Sequence, residues 1–338
     1  MKITRIGIDL AKNVFQVHGV DQHGKTLVQK QLSRAKVMEF FARLEPCLIG
    51  MEACGGAHHW ARELLKQGHD ARLIAAQFVR PYRKNDKNDK HDAEAICEAV
   101  GRPAMRFVPI KSVAQQAVLT LHRVRQLRVA ERTALVNQLR GLLAEYGIVV
   151  AQGIARLRRE LPRILEDAEN NLPDLARSIF AELRWRLIEL DRQMADYDQH
   201  IDRLAAQSEP ARRLMQIEGV GPLTATAIVA NIQNGRCFKN GRQFAAWLGL
   251  TPRQHSTGGK ARLGSMSKRG DVYLRTLLIH GSRSVLRRTA HRTDVKSRWV
   301  EALKKRSCNN VAAVALAAKH ARIIWAMLAR NQEYRLAV

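Results

Sequence analysis

The stretch I3-T-R-I-G-I-D9 is short and rich in β-branched residues, and it closes on an acid that precedes L10-A-K-N. This pattern predicts a strand that runs into a turn. A second apolar run, L48-I-G-M-E52, also closes on an acid, and a helix is predicted over 57–67 after the break C54-G-G56. An acid that ends an apolar strand is costly unless it is solvated or used. Asp9 and Glu52 are therefore candidates for a site at the ends of two strands.

Working outward, β-branched runs predict further strands over 14–20, 26–31 and 71–75. Asp89 and Asp92 stand at the head of a helix that continues to residue 100. Their spacing of three puts both carboxylates on one face, and acids at a helix start suit its dipole. The N-terminal part is therefore predicted to be an α/β domain.

Two strand-end acids and a helical pair can converge on one or two Mg²⁺ ions, which take oxygen ligands. Two such ions about 4 Å apart would hold the attacking and leaving oxygens of a phosphoryl transfer. The alternative for any single acid is a turn residue, a cap or a solvated charge. Asp86, Lys87 and Lys90 also allow a salt-rich loop around the helical pair. Only the set of four indicates a metal site.

A basic stretch follows much later in the chain, H255-S-T-G-G-K-A-R-L-G-S-M-S-K-R-G-D271. A serine framed by glycine and arginine is a candidate nucleophile for a phosphate. Together with the four acids, this stretch suggests an enzyme that cuts and rejoins nucleic acid.

The charge balance also indicates a polyanionic partner. The chain has 57 Lys and Arg against 31 Asp and Glu, a formal net charge of +26. Residues 251–338 alone hold 19 Lys and Arg against 4 Asp and Glu, which is more than half of the surplus. Nucleic acid is the commonest partner for such a surface.

Composition disfavours several other classes of protein. The five cysteines are scattered without a C-x-x-C pair, so structural zinc and a disulfide framework are not expected, and a reducing cytoplasm is. The longest apolar run near the C-terminus, 311–318, is too short to span a bilayer, and no N-terminal signal pattern is found, so no membrane partner is expected. Aromatic residues make up 5%, so base stacking is not the expected binding mode.

The middle of the chain is predicted to be helical. An amphipathic helix is predicted over 114–146, and Pro162 and Pro173 are expected to break the segment that follows it. From Phe180 to Leu204, apolar residues recur at alternating spacings of three and four, which is typical of a coiled-coil seam. The seam can pack on the preceding helix within one chain or join two chains. We favour self-association, because strand exchange requires more than one active centre.

The last third is predicted to be mostly helical. Gly219 and Gly221 lie between two apolar helical runs, as in a helix-hairpin-helix, whose tight loop offers backbone N–H groups to phosphates. An ordinary corner between two helices is the alternative. A helix and turn are predicted over 244–252, and further helices over 272–286 and 312–328.

Taken in order, these motifs resemble the DEDD-type transposases of bacterial insertion sequences, which are RNA-bridged recombinases with a RuvC-like N-terminal domain. The resemblance covers nearly the whole chain and rests on six segments: G7-I-D9, M51-E-A-C-G-G56, K87-N-D-K-H-D-A-E-A-I96, I217-E-G-V-G221, G249-L-T-P-R253 and S256-T-G-G-K-A-R-L-G-S-M-S-K-R-G-D271.

The resemblance implies three domains. They are an RNase H-like (RuvC-like) catalytic domain over 1–110, a helical coiled-coil dimerisation region over 111–208, and a C-terminal transposase domain over 209–338. It places the metal-binding acids on Asp9, Glu52, Asp89 and Asp92, and Cys54 stands where many members have Thr. The nucleophile falls on Ser256, with Thr257 as the alternative register.

The resemblance also implies the partners. They are donor and target DNA, a noncoding bridge RNA whose loops pair with both, and further copies of the chain, as a dimer or as a tetramer in the synaptic complex. A cytoplasmic, bacterial, nucleoid-associated protein is implied. Side chains expected to hold nucleic acid are Lys260, Arg262, Lys268, Arg269 and Arg275.

In this interpretation, attack by Ser256 on a phosphate gives a phosphoserine ester that can be resealed without ATP. Two rival hypotheses remain. A RuvC-like endonuclease would use the same acids to activate water, with Ser256 merely binding phosphate. A non-catalytic nucleic-acid-binding protein would need no metal.

Overall fold

The computed structural model describes residues 2–84 and 88–334, so Asp86 and Lys87 of the possible salt-rich loop lie outside the described residues. The chain forms two compact units, Met1–Gln115 and Gln116–Val338. The first boundary lies close to the predicted end of the catalytic domain at residue 110. The further division of the second unit at residue 208 stays a prediction.

The N-terminal unit is built on one mixed sheet of six strands. The strands are β1 (Arg5–Leu10), β2 (Val14–Val20), β3 (Thr26–Ser33), β4 (Leu48–Glu52), β5 (Asp70–Ile74) and β6 (Phe107–Val108). Their spatial order is β3-β2-β1-β4-β5-β6. β1 is parallel to β4 and β4 to β5, whereas β2, β3 and β6 pair in antiparallel fashion. The five predicted strands are confirmed, and β6 is an addition.

Helices cover both faces of this sheet. They are α1 (Val37–Ala42), α2 (Ala57–Lys66), α3 (Ala76–Val79) and α4 (Asp89–Val100). One face carries Ile6 and Ile8 of β1, which pack with Trp60 and Leu64 of α2 in a single apolar core. Because side chains alternate along a strand, Gly7 and Asp9 lie on the other face.

Helix α4 lies directly against that second face. A Cβ atom on Gly7 would be 2.1 Å from the carbonyl oxygen of Ala93, and one on Gly50 would be 2.7 Å from Cβ of Val100. No side chain fits at either position. Because these two positions are glycines, the backbone of α4 can pack directly against the backbone of the central strands.

The second unit contains the long helices. They are α5 (Val113–Glu145), α6 (Ile154–Glu166), α7 (Asp174–Gln207), α8 (Glu209–Leu214), α9 (Pro222–Ile232), α10 (Gly241–Trp247), α11 (Val272–Leu286), α12 (Val295–Arg306) and α13 (Asn309–Ala329). A separate hairpin is formed by β7 (Pro252–Thr257) and β8 (Lys260–Met266). Neither α12 nor this hairpin was predicted from the sequence.

Helices α5 and α7 form an antiparallel pair. Arg125 pairs with Asp198 at 2.5 Å, and Arg132 pairs with Asp191 at 3.2 Å, so α7 runs backward along α5. The predicted seam lies inside this pair: its buried members are Phe180, Leu187, Leu190, Met194 and Ile201. Phe180, Leu187 and Leu190 share one apolar core with α5 and α6. Of the two alternatives for the seam, the structure supports packing within one chain, and the expectation that this seam joins two chains is not supported.

Pro162 does not break the chain as expected, because it lies inside α6. A proline in a helix removes one backbone hydrogen bond. Leu157 and Leu161 on the same helix are buried in the core with α7, and this burial offsets the loss. Pro173 does mark a boundary, since it is the N-cap residue of α7.

The C-terminal helices surround α13. Leu316, Ala317, Ala321 and Ile324 are fully buried, and the first of these packs with α11 and α12. This helix has 21 residues and, among those the structure describes, is the one long and apolar enough to cross a membrane by length and composition. It extends beyond the apolar run 311–318. Half of its apolar stretch is buried in the fold, as in the core helix of a globular domain.

The glycine-rich link between α8 and α9 comprises residues 215–221. Gly219 has φ +83°, and a Cβ atom there would lie 2.6 Å from the carbonyl oxygen of Gly281 in α11. Gly221 is the N-cap residue of α9. The loop is therefore packed against α11, and its proposed contact with phosphates remains a prediction.

The Gly7 contact can be tested by unfolding in urea. Gly7→Ala should lower the free energy of unfolding by about 1–3 kcal/mol or more, because the methyl group forces α4 away from the sheet. Gly141→Ala is the matched control, since nothing lies within 4 Å of the added Cβ on α5. It should raise stability by about 0.5–1 kcal/mol. Equal stability of Gly7→Ala and the unchanged protein would contradict the close packing of α4.

Candidate active site

Three of the four predicted acids come together in the first unit. Asp9, Asp89 and Asp92 each offer an oxygen atom, and these atoms lie within 4.8 Å of one another. Asp9 is half-buried on β1, Asp89 is exposed, and Asp92 is 6% exposed in the first turn of α4. Asn88 caps that turn by accepting a hydrogen bond from the backbone N–H of Lys90. The spacing of three in sequence thus gives the shared face that was predicted.

Glu52 lies beside this cluster on the neighbouring strand. The parallel register of β1 and β4 pairs Ile8 with Met51, so Asp9 and Glu52 are the next residues along adjacent strands. Directly paired residues share a face of a sheet, and this is the face covered by α4. Within the described part of the chain, the group of three acids does not include Glu52, whose carboxylate is half-buried and makes an interaction of its own.

The donor set suits a hard divalent cation. All the candidate ligands are carboxylate oxygens, which Mg²⁺ and Ca²⁺ prefer to nitrogen or sulfur. Opposite ligands of one Mg²⁺ ion lie about 4 Å apart, from bond lengths of about 2.0–2.1 Å. The cluster, at up to 4.8 Å, therefore needs only a small contraction to bind one ion. Like charges held this close repel each other, and a cation would relieve that repulsion.

Arg83 also belongs to this site, as the partner of Asp92, and it was not predicted from the sequence. Its Nε atom lies 2.5 Å from Oδ1 of the buried Asp92, as an ion pair. A buried carboxylate needs such a partner, since desolvation disfavours its charged form. The signal in the sequence is weak: Arg83 belongs to a basic segment, R80-P-Y-R-K84, just before the acidic helix.

Cys54 lies close enough to the acids to be affected by them. Burial, with the charges of Asp9 and Glu52, raises the pKa of the Cys54 thiol above its ordinary value. The thiol therefore stays protonated at neutral pH and acts as a neutral group, much as a threonine at this position would.

Ser256 lies on the hairpin of the second unit. Gly258 and Gly259 connect β7 to β8 with φ of +55° and +77°. Positive φ at both central residues defines a type I′ turn, which is favoured in two-residue hairpins and for which Gly-Gly is well suited. Gln254 Nε2 donates a hydrogen bond to Ser256 Oγ at 2.7 Å, and both residues are exposed. The Gly-Gly pair between two short runs was the signal that could have predicted the hairpin.

The register of the hairpin separates the serine from its nearest cations. Ser256 is directly opposite Ala261, whereas Thr257 is opposite Lys260 and His255 is opposite Arg262. Because successive residues alternate between faces, Lys260 and Arg262 lie on the face of Thr257. Both were expected to hold nucleic acid. The alternative nucleophile, Thr257, is the hydroxyl that shares their face.

The base of the hairpin is held by close backbone contacts. A Cβ atom on Gly249 would lie 2.3 Å from the carbonyl oxygen of Arg269, and one on Gly270 would lie 1.7 Å from that of Trp247. Arg275 joins this base: it is 7% exposed, and its Nη1 donates to the carbonyl oxygens of Leu248 and Arg269 at 3.0 and 2.7 Å.

The structure therefore does not support the expectation that Arg275 binds nucleic acid. Its guanidinium group is buried and already donates hydrogen bonds to backbone carbonyl groups. The other four predicted cations are exposed: Lys260, Arg262, Lys268 and Arg269.

The class of protein that carries this acid cluster and this hairpin is identified by comparison as a transposase. Residues 6–148 match a DEDD transposase domain, and residues 211–296 match the transposase IS116/IS110/IS902 family. The chain belongs to the IS110/IS116 family of DEDD transposases of insertion sequences.

Full-length relatives agree with these matches. A probable family 20 transposase of Pseudomonas aeruginosa is 53% identical over 99% of both chains. The transposase for insertion sequence element IS1111A of Coxiella burnetii is 44% identical over 98% of this chain and 91% of its own. The transposase for IS1328 of Yersinia enterocolitica is 42% identical over 96% of both.

The acid cluster can be tested by the effect of metal on thermal unfolding. Millimolar Mg²⁺ should raise the melting temperature of the unchanged protein, because a ligand that binds only the folded state stabilises it. Asp9→Asn and Asp92→Asn should abolish most of this rise. Asp70→Asn, which removes an exposed acid paired with Arg72 on β5, should retain it in full. A full metal-dependent rise in Asp9→Asn would contradict the assignment.

Proposed function

We propose that this transposase cuts and rejoins DNA strands through a phosphoserine intermediate on Ser256, with an Mg²⁺ site at Asp9, Glu52, Asp89 and Asp92. The observation that carries the proposal is the convergence of Asp9, Asp89 and Asp92, combined with a hairpin that exposes Ser256. The strand order β3-β2-β1-β4-β5, with β2 antiparallel to its neighbours, supports an RNase H-like fold for the acid-bearing unit.

The serine step transfers one phosphoryl group. Ser256 Oγ forms a bond to the phosphorus atom while the bond from phosphorus to the 3′ oxygen breaks. The hydroxyl proton leaves Oγ, and the departing 3′ oxygen gains a proton, so the number of bonds is conserved. Attack of a 3′ hydroxyl on the ester reverses these changes and reseals a strand without ATP.

The residues of this chain have separate parts in that step. Gln254 donates to Ser256 Oγ and so holds the hydroxyl in one orientation at the exposed edge of β7. Asp9, Glu52, Asp89 and Asp92 would bind the metal, which would stabilise the charge on the scissile phosphate and the leaving oxygen. Lys268 and Arg269, at the base of the hairpin, supply positive charge for the DNA backbone.

We further propose the partners implied by the family resemblance. They are donor and target DNA, a noncoding bridge RNA that pairs with both, and additional copies of this chain in the cytoplasm of a bacterium. The large basic surplus supports nucleic-acid partners of this kind, because each phosphate that is neutralised releases counterions.

The nucleophile is tested by trapping the covalent intermediate. With its RNA, labelled donor and target DNA, and Mg²⁺, the protein should form a DNA band shifted by the mass of the chain and removed by protease. Ser256→Ala should abolish this band, and the matched variant Thr257→Ala should retain it.

Each other outcome has a clear meaning. An adduct that persists in Ser256→Ala but disappears in Thr257→Ala would move the nucleophile to Thr257. Nicked DNA with no adduct in the unchanged protein would replace the proposal with a water-activating endonuclease. DNA binding without any cleavage or metal dependence would indicate a non-catalytic binding protein.

Self-association needs a surface other than the buried seam. On α7, Trp185 is 67% exposed and Ile188 is 43% exposed, on the side away from the core with α5. Trp185→Glu with Ile188→Glu should therefore shift the mass measured by light scattering toward the monomer while the melting temperature changes little. An unchanged oligomer would place the contact elsewhere on the chain.

A further inference from the structure

The C-terminal end of α11 and the turn that follows it carry arginines on two sides. The sequence R283-S-V-L-R-R288 places Arg283 and Arg287 at a spacing of four, so they share one side of the helix. Ser284 in α11 and Arg288 in the turn after it line one cavity on another side. All four side chains are exposed, whereas Val285 and Leu286 between them are buried.

Each side faces a cavity. The first has a volume of about 150 Å³ and is lined by Glu218, Gly219, Ser284, Arg288 and Arg292, with Val285 at its floor. The close contact of Gly219 with Gly281 brings the loop before α9 onto α11 and so forms one wall.

Charge in the first cavity is positive in spite of Glu218. That carboxylate accepts hydrogen bonds from Lys296 and Arg292, and these contacts hold the pKa of Glu218 below its ordinary value. Glu218 is therefore ionised and neutralised by its two partners. Within the described residues, no carboxylate lies at ion-pair distance from Arg288, which leaves its charge available to a ligand.

The second cavity, on the other side of α11, is larger. Its volume is about 310 Å³, and its polar lining consists of Arg283, Arg287, Lys304, Asn309 and Asn310. Arg283 Nη2 donates to Asn310 Oδ1 at 3.1 Å, and Lys304 pairs with Glu301 at 2.8 Å. Arg287 has no such carboxylate partner in the described part of the chain.

The chemistry of both cavities fits phosphate groups. Residues 283–306 contain nine Lys and Arg against two Asp and Glu, so a linear polyanion is attracted along this segment. Guanidinium groups bind phosphate oxygens with two parallel hydrogen bonds. Neither cavity is lined by an aromatic side chain, whereas binding of unpaired strands relies on base stacking. These features favour the backbone of a duplex.

We propose that the C-terminal end of α11 and the turn that follows it form a phosphate-binding ridge for duplex DNA, with Arg288 and Arg287 contacting backbone phosphates on its two sides. The choice of DNA rests on the proposed function. Contacts to phosphates position a protein on a duplex without reading its sequence. The ridge therefore contributes affinity and orientation, while recognition of donor and target sequence lies elsewhere.

The test is the salt dependence of binding by the full chain. A fluorescent duplex of arbitrary sequence is titrated with the unchanged protein and with Arg287→Gln/Arg288→Gln across a salt series. Each lost phosphate contact should reduce the magnitude of the slope of log affinity against log salt by about 0.9. The slope of the double variant should therefore be smaller in magnitude by about 1.8. Affinity at low salt should fall about tenfold or more.

The matched control removes the same charge from exposed positions on α6 and α7, as Arg156→Gln/Arg186→Gln. Its slope and affinity should remain close to those of the unchanged protein. Circular dichroism and melting temperature establish that both double variants fold. If both double variants lose slope and affinity equally, then DNA is held by the overall positive charge and not by the ridge. If Arg287→Gln/Arg288→Gln loses neither, then the ridge is not a binding site.

A second arm uses a hairpin RNA as the probe. Loss of RNA binding with intact binding of duplex DNA would overturn the assignment to DNA. Formation of the serine adduct is measured separately. If the ridge variant binds DNA normally and the unchanged protein forms the adduct, then the ridge fails and the proposed function stands. If the ridge variant loses DNA binding and the unchanged protein forms no adduct, then the ridge stands and the proposed function fails.

Discussion

The contact between α4 and the sheet is the constraint on which the acid cluster depends. In both G7-I-D9 and G50-M-E52 a glycine stands two residues before the acid, so glycine and acid share a face. Because the glycines have no side chains, the backbone of α4 packs directly against the sheet. The first turn of α4 then places Asp89 and Asp92 close to Asp9. The repulsion among these carboxylates is offset by apolar packing of the helix and by Arg83.

The second unit likewise combines a fixed base with an exposed candidate nucleophile. Gly249 and Gly270 bring two backbone segments into contact, and the buried Arg275 links their carbonyl groups. From this base the hairpin extends into solvent, because its strands carry few apolar residues that could be buried. Ser256 is therefore held on a short ladder whose geometry is fixed by a Gly-Gly turn. In both units, close contacts at glycine residues fix the backbone that carries the candidate site residues.

The helical region shows how a sequence pattern can have two physical solutions. The regular spacing from Phe180 to Leu204 requires an apolar partner surface, but it does not specify whether that surface belongs to the same chain. Leu135, Leu139 and Leu143 of α5 supply it here, and the ion pairs of Arg125 and Arg132 with α7 set the antiparallel register. Trp185 and Ile188, on the outer side of α7, remain exposed and can contact another chain.

The sequence by itself determined most of the elements of the first unit and predicted the chemistry of its site. Its β-branched runs gave five of the six strands of the sheet, and its acids at strand and helix ends indicated the metal site, because these patterns depend on local periodicity. Only the tertiary structure decided which groups meet. The pairing of Arg83 with Asp92, the burial of Arg275 and the opposite faces of Ser256 and Lys260 depend on register and on contacts distant in sequence. Such contacts follow from how elements pack, which no single segment specifies.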